Sequence, residues 1–190
     1  MKAIRCLDYG APSALVLDEM DDPSPRAGEV VIETEAAGPG YVAALLVAGR
    51  YQVKTPLPFV PGSEVAGRVM ALGEGAPEAL MGKRVMALSP RGALAGKIAL
   101  PAMGCVPVPD AMSAEAAAGF IVSYCTALYG FEDCGKLQSG ETVLVLGAAG
   151  GVGMAAIDIA KAMGAKVIAA ASTEEKREAA KKAGADFAID

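Results

Sequence analysis

The stretch of this chain best suited to chemistry is the glycine-rich run 143–153, with the sequence VLVLGAAGGVG. Its apolar part is typical of a buried strand, and a helical pattern follows the glycines at once. The first N–H groups of a helix lack partners within it, and the helix dipole is positive there, so such a turn can hold a phosphate. Gly150 and Gly151 leave room for a pyrophosphate, and Gly153 allows close packing of the helix.

The spacing of these small residues predicts a dinucleotide site. The usual fingerprint has glycine at its first, third and sixth positions. Here the frame is Ala148–Gly153, so an alanine takes the place of the first glycine. We predict that the cofactor pyrophosphate contacts Ala149, Gly150, Gly151, Val152 and Gly153. The alternative is a tight packing turn without a ligand.

The residues after the next predicted strand, AKVIAAA, indicate which dinucleotide is bound. An acidic residue there would hold the ribose hydroxyls of NAD and repel the 2′-phosphate of NADP. The chain instead has Ser172 and Thr173, followed by Lys176 and Arg177. This pattern favours NADP(H), with Ser172 and Lys176 as ligands. Ser172 as a helix cap and Lys176 as a solvated charge are the simpler interpretation, and both roles are compatible with phosphate binding.

The absent residue types narrow the possible chemistry. The chain has no histidine, which excludes Ser–His and Cys–His nucleophile pairs and any histidine-ligated metal. Its four cysteines are irregularly spaced and form no CxxC motif, so they predict neither a zinc site nor a disulfide framework. We expect no metal, and we expect the cysteines to be small packed thiols.

Composition and charge point to a soluble globular protein, with 53% hydrophobic and 21% charged residues. A net charge of −5 argues against binding to nucleic acid. No apolar run reaches the roughly 20 residues that a membrane helix needs. The start, MKAIRCLDYG, has no secretory signal, so we expect a cytoplasmic protein without a membrane partner.

Two regions of different character follow one another along the chain. Residues 1–112 contain short apolar segments between glycine and proline turns, which predicts a mainly antiparallel barrel or sandwich. Residues 113–190 begin with an alanine-rich helical stretch that Ser113 caps. They continue as β-α-β-α-β, the first half of a doubly wound parallel sheet. In this half we expect ETVLVLG to be buried on both faces, and Ser172 with Glu175 to form a capping box.

The chain resembles the zinc-independent quinone oxidoreductase branch of the medium-chain dehydrogenase/reductase superfamily. The resemblance covers essentially the whole chain and implies a GroES-like barrel, a Rossmann domain and NADPH-dependent reduction of quinones or conjugated carbonyl compounds. The segments that carry it are MKAIRC, GEVVIETEAAG, GRYQVKTPLPFVPGSEVAGRVMALGEG, VLVLGAAGGVG and AGADFAID.

The resemblance also assigns individual residues. Tyr51 matches a tyrosine that lines the substrate cleft, and we expect it to donate a hydrogen bond to the substrate oxygen. Thr126 matches a threonine near the nicotinamide, and Lys176 matches a lysine at the 2′-phosphate. Zinc-dependent members carry Gly-His-Glu where this chain has Gly62–Glu64, with serine in the middle, which implies that zinc is not used.

The sequence departs from the family in two respects. The segment Gly38–Ala43 has glycine where the family has asparagine and alanine where it has aspartate, which suggests a different or bulkier substrate. Family members also continue well past residue 190 and form homodimers. We therefore expect a fragment of a longer, homodimeric protein, with an exposed sheet edge at ADFAID.

Three functional hypotheses follow from these observations. The first is an NADPH-dependent quinone oxidoreductase that works by hydride transfer without zinc. The second is an enoyl-thioester or enone reductase on the same scaffold. The third is a catalytically silent, self-associating domain that retains a remnant of the nucleotide site.

Overall fold

The computed structural model describes the whole chain, residues 1–190, and divides it into two compact units, Met1–Ile121 and Val122–Asp190. The first unit is mainly β and the second alternates strands with helices, as predicted. The boundary between residues 112 and 113 stays a prediction, since a compact unit and a family domain need not end at the same residue. None of the helices combines the length and apolar character that a membrane crossing requires.

An antiparallel sheet of five strands forms the centre of the first unit. In spatial order these strands are β6 (Lys97–Pro101), β3 (Glu29–Gly38), β4 (Glu64–Leu72), β5 (Arg84–Leu88) and β7 (Cys105–Pro107). All but the three-residue β7 coincide with segments predicted as strands. Strands β6 and β7 are the two edge strands, because no hydrogen-bonded pairing joins them. The five strands therefore form an open sheet and do not close into a barrel.

Besides three single-turn 3-10 helices, the first unit contains two further strands and two α-helices. Strands β1 (Lys2–Arg5) and β2 (Val16–Glu19) form a separate antiparallel pair. Helix α1 (Gly40–Val47) has no counterpart in the predictions, because its run of apolar residues lacks the polar face that marks a surface helix. Helix α2 (Ala114–Ala117) is capped by the Ser113 hydroxyl, which accepts a hydrogen bond from the N–H of Ala116 at 3.2 Å, as predicted.

The second unit has the predicted β-α-β-α-β order. It begins with α3 (Ile121–Tyr129), most of which belongs to this unit and which continues as one π-helical turn. The elements that follow are β8 (Thr142–Leu146), α4 (Gly151–Ala162), β9 (Lys166–Ala170), α5 (Glu174–Lys182) and β10 (Phe187–Ile189). The strands are parallel in the order β10-β9-β8. Gly164 and Gly184, both with positive φ, end the two helices, as predicted.

Only one face of this parallel sheet is covered within the unit. Val145 and Val167 point to that face and pack with Ile157 of α4 in the core of the unit. The expectation that β8 is buried on both faces is wrong here, since Leu144 and Leu146 are 54% and 74% exposed. Successive right-handed crossovers place α4 and α5 on the same side, so the alternate residues meet no helix of this unit.

Asp186 connects three elements of the second unit. Its carboxylate accepts hydrogen bonds from the Lys161 ammonium at 2.8 Å and from the N–H of Val167 at 2.7 Å. Both hydrogen bonds hold the pKa of Asp186 below its usual value, and the bond from Lys161 lowers it more than the bond from Val167. They join the end of α4 and strand β9 to the residue that precedes β10.

The lowered pKa gives Asp186 a predictable effect on stability at different pH. A carboxyl with a depressed folded-state pKa stabilises the fold above its unfolded pKa and loses that contribution as pH falls through the folded value. We therefore expect Asp186→Asn to lower the free energy of unfolding at pH 7, and the difference from wild type to shrink below about pH 4. Urea unfolding of both proteins at pH 7 and pH 3 measures this.

The matched control is Asp110→Asn, because Asp110 is exposed and makes no hydrogen bond or ion pair. It should leave stability unchanged at pH 7. An Asp186→Asn deficit of equal size at both pH values would contradict the ionic origin of the effect.

Candidate functional site

The turn between β8 and α4 presents a row of unpaired backbone donors. Gly147 adopts a φ of +61°, and the N–H of Gly150 returns to its carbonyl at 2.9 Å. Helix α4 then starts at Gly151 with no side-chain cap, and the first helical bond is donated by Met154. The N–H groups of residues 151–153 therefore have no acceptor in the protein, which is the arrangement that binds an anion.

Glycine is required in this turn for packing. A Cβ at Gly153 would lie 2.5 Å from the Gly147 carbonyl oxygen and 2.8 Å from the Ala148 Cα. The close helix packing predicted for Gly153 is thus confirmed, with the turn as the surface that it packs on. A Cβ at Gly151 would meet the Ser123 hydroxyl of α3 at 3.1 Å, so α3 borders the start of α4. Access of a phosphate past Gly150 and Gly151 stays a prediction.

The charges along α4 leave its positive end uncompensated. The first turn has no acidic residue, whereas Lys161 occupies the last turn. A helix dipole stabilises an anion near the N-terminus most when no side-chain carboxylate already occupies that position. The turn thus combines free donors, small residues and an available positive end. The sequence analysis did not identify Ser123 as a residue beside the start of α4. Its only signal in the sequence is its position one helical turn before Thr126.

The second half of the candidate site lies at the end of the adjacent strand. Leu146 of β8 is paired with Ala170 of β9, and the N–H of Ala148 donates to the Ala170 carbonyl at 3.1 Å. The carboxyl ends of the two parallel strands therefore lie side by side, where ligands bind in open α/β sheets. The structure brings the turn 147–153 and the residues that follow β9 to one edge.

The cap of α5 differs from the prediction. Thr173, and not Ser172, is the N-cap, and its hydroxyl accepts a hydrogen bond from the N–H of Lys176 at 3.3 Å. The helix begins one residue later than a Ser172–Glu175 capping box requires, so that prediction is wrong. Ser172 is exposed and its hydroxyl makes no hydrogen bond. Lys176 is likewise exposed, with no ion pair, so both side chains are available to a ligand.

Tyr51 and Thr126, which the resemblance assigns to the substrate and the nicotinamide, lie in different units. Tyr51 belongs to the first unit, where its half-buried ring packs against the buried cluster of Cys6, Leu46, Val47 and Phe59. Its hydroxyl makes no hydrogen bond within the protein. Thr126 belongs to the second unit and is exposed on α3. The roles of Tyr51 and Thr126 in binding substrate and nicotinamide stay predictions.

Neither metal ligation nor disulfide formation is evident among the side chains. No group of three or more cysteine, aspartate or glutamate side chains is placed to hold a metal ion. All four cysteines are free thiols, and Cys125 and Cys134 are exposed.

A parallel β-α-β-α-β sheet with an uncapped glycine turn at its carboxyl edge defines the dinucleotide-binding class of proteins. Family models agree. Residues 26–110 match the alcohol dehydrogenase GroES-like domain, and residues 151–190 match the zinc-binding dehydrogenase domain. The chain belongs to the medium-chain dehydrogenase/reductase superfamily, and its relatives include quinone oxidoreductases.

Individual relatives are 30% to 38% identical to this chain over the residues that align with it. The quinone oxidoreductase of Rattus norvegicus is 34% identical over 187 residues, which are 97% of this chain and 57% of that protein. The quinone oxidoreductase of Thermus thermophilus, solved also with NADPH, is 38% identical with a TM-score of 0.88, over 99% of this chain and 59% of that one. CurK enoyl reductase is 30% identical with a TM-score of 0.90, over 100% of this chain and 59% of that one. The chain spans about half the length of the curated relatives it matches.

The cap assignment at α5 is testable with two neighbouring variants. Thr173→Ala should cost about 1 kcal/mol of unfolding free energy, because it removes the acceptor of the Lys176 N–H. Ser172→Ala is the matched control and should change stability by less than about 0.5 kcal/mol, since that hydroxyl is exposed and unbonded. Urea unfolding followed by circular dichroism measures both. A larger loss for Ser172→Ala than for Thr173→Ala would reverse the assignment.

Proposed function

We propose that the protein is an NADPH-dependent oxidoreductase that reduces quinones or other conjugated carbonyl compounds by hydride transfer, without zinc. The observation that carries the proposal is the row of three unpaired N–H groups at residues 151–153, on the same sheet edge as the unengaged Ser172 and Lys176. The names of the relatives, quinone oxidoreductases with and without NADPH, support it.

The residues at this edge fit NADPH in two places. The N–H groups of residues 151–153, with Ala149 and Gly150 leading to them, would hold the pyrophosphate. Ser172 and Lys176 would bind the 2′-phosphate with a hydroxyl and an ammonium group. The segment Ala171–Thr173 offers no carboxylate for the ribose hydroxyls, which favours the phosphorylated dinucleotide.

When bound, the nicotinamide supplies the hydride, and the protein contributes binding, orientation and polarisation. Tyr51 would donate a hydrogen bond from its unpaired hydroxyl to the substrate oxygen and so stabilise negative charge on that oxygen. Its ring is held against an apolar cluster, which limits the orientations of that hydroxyl. Thr126 would contact the nicotinamide. This polarisation takes the place of zinc, for which the chain has serine at position 63 and no histidine.

An enoyl-thioester or enone reductase is the second candidate. The similarity to CurK enoyl reductase favours it, as does the segment Gly38–Ala43, which has glycine and alanine where the resemblance implies asparagine and aspartate. Both candidates share the cofactor, so a panel of quinones, enones and enoyl thioesters tested with NADPH separates them by kcat/KM.

A third candidate is a self-associating domain without catalysis. The exposed apolar face at Leu144 and Leu146 favours it, since a face of this kind is commonly covered by another protein surface. Binding of NADPH with turnover of a substrate would exclude it.

For the whole protein we propose a homodimer with a small-molecule substrate and a cytoplasmic location. Sedimentation equilibrium tests the dimer.

Binding of the 2′-phosphate by Lys176 has a direct test. Lys176→Ala should weaken NADPH binding about tenfold, the cost of losing a charge-assisted hydrogen bond, and should leave NADH binding nearly unchanged. Fluorescence titration with each dinucleotide gives both dissociation constants. Lys166→Ala is the matched control, because Lys166 is an exposed, unpaired lysine at the opposite end of β9. Equal losses for NADPH and NADH, or an effect of Lys166→Ala alone, would exclude this role for Lys176.

The role of Tyr51 is tested by the loss of one oxygen atom. Tyr51→Phe keeps the ring that packs on the apolar cluster and removes the hydroxyl, so kcat/KM should fall about a hundredfold while the fold is retained. Tyr129→Phe is the control, since Tyr129 is exposed at the end of α3. Steady-state kinetics with the best substrate of the panel measures this, and an unchanged kcat/KM for Tyr51→Phe would remove Tyr51 from the mechanism.

A further inference from the structure

Arg177 joins three elements at the carboxyl edge of the parallel sheet. Its Nη1 donates to the carbonyl oxygen of Ala171, just after β9, at 2.8 Å. Its Nε and Nη2 both donate to Oε2 of Glu174, at the start of α5, at 3.1 and 3.0 Å. Nη1 also lies 3.3 Å from Oδ1 of Asp190, just after β10. One guanidinium group therefore connects the strand end, the helix start and the neighbouring strand end.

The cation lies beneath the two carboxylates. The side chain of Arg177 is 20% exposed, whereas those of Glu174 and Asp190 are 71% and 84% exposed. Both acids thus project toward solvent at the edge that carries Ser172 and Lys176. Arg177 offsets their charge from below, and its bond to the Ala171 carbonyl fixes the first residue of the segment 171–173.

Carboxylates at this edge matter for the choice of dinucleotide. A carboxylate that follows the second strand of such a sheet accepts the ribose hydroxyls of NAD and repels the 2′-phosphate of NADP. Glu174 and Asp190 follow the second and third strands at close range. Paired with a guanidinium they are largely neutralised, whereas unpaired they would add negative charge beside Ser172 and Lys176.

We propose that Arg177 determines dinucleotide specificity as a positioning residue, by masking the charge of Glu174 and Asp190 and holding the 171–173 segment. It acts on the 2′-phosphate through these neighbours, while Ser172 and Lys176 make the contacts. This inference rests on the proposed NADPH site and goes beyond it, because it makes selectivity depend on a residue that does not touch the cofactor.

The test compares dissociation constants for NADPH and NADH in four proteins: wild type, Arg177→Met, Glu174→Gln and the double variant. Arg177→Met should lower the NADPH preference about tenfold, since two carboxylates lose their partner. Glu174→Gln, which removes an exposed carboxylate, should raise the preference about threefold. The double variant should recover part of the preference lost in Arg177→Met, by more than the threefold that Glu174→Gln gives in wild type, while Asp190 and the 171–173 segment still lack the guanidinium. The effects should shrink as ionic strength rises.

The control is Lys181→Met, which breaks the Lys181–Glu178 pair, with 2.9 Å between its atoms, further along α5. It should leave the preference unchanged. A structural role alone would lower the melting temperature of Arg177→Met without moving the ratio of the two constants, which overturns the proposal.

Direct binding of the phosphate by Arg177 would also overturn the proposal, and it would show as a loss that Glu174→Gln rescues by no more than the threefold gain it gives in wild type. If Arg177→Met does not fold, Glu174→Gln decides the question, and an unchanged or lower NADPH preference contradicts the inference. A wild type without measurable NADPH binding would instead refute the proposed function. A wild type that prefers NADPH, with all variants at the same ratio, would refute this inference alone.

Discussion

The architecture of the second unit depends on the close approach of α4 to the turn that precedes it. Gly153 packs so tightly on Gly147 and Ala148 that no side chain fits between them. The same turn is tied to the neighbouring strand by the hydrogen bond from Ala148 to Ala170. Because the helix begins against the turn without a cap, its first N–H groups remain free at the sheet edge. One packing constraint thus creates both the rigid junction of the sheet and the candidate anion site.

The charged residues around this edge differ in how far they are exposed to solvent. Lys176 and Ser172 are exposed and unengaged, whereas Arg177 lies lower and holds Glu174, Asp190 and the Ala171 carbonyl. In the proposed NADPH site, these two adjacent residues of α5 would have different roles: Lys176 would contact the 2′-phosphate, and Arg177 would hold the neighbouring acidic groups. Thr173 supports the same segment by capping α5, which leaves the Ser172 hydroxyl unused by the helix.

The proposed reaction uses no zinc, and the sequence contains no histidine. In that proposal, polarisation of a substrate oxygen comes from a hydrogen-bond donor. Tyr51 has an unpaired hydroxyl on a ring that an apolar cluster holds in place. The Gly38–Ala43 segment carries small and aromatic groups. Because this segment departs from the family pattern, we expect it to affect which substrates the protein accepts.

The sequence by itself determined the order of the elements and the kind of site. Alternating apolar strands, amphipathic helices and glycine stops fixed the β-α-β-α-β order, because these signals are local and each repeats within a few residues. It did not predict α1, the open first sheet or the exposed face of β8. A uniformly apolar helix has no periodic signal, and closure or coverage of a sheet depends on partners distant in the chain.

Only the tertiary structure decided how single side chains at the site are used. Four polar residues follow β9, and the sequence does not show which of them caps α5: Ser172, Thr173, Lys176 and Arg177. In the structure the helix begins one residue later than predicted, so Thr173 is the cap. Arg177 in α5 and Asp190 after β10 lie 13 positions apart along the chain, and the packing of α5 against the sheet brings them together. Spacing along the chain carries the periodicity of the elements, whereas contacts between residues of different elements depend on how those elements pack in three dimensions.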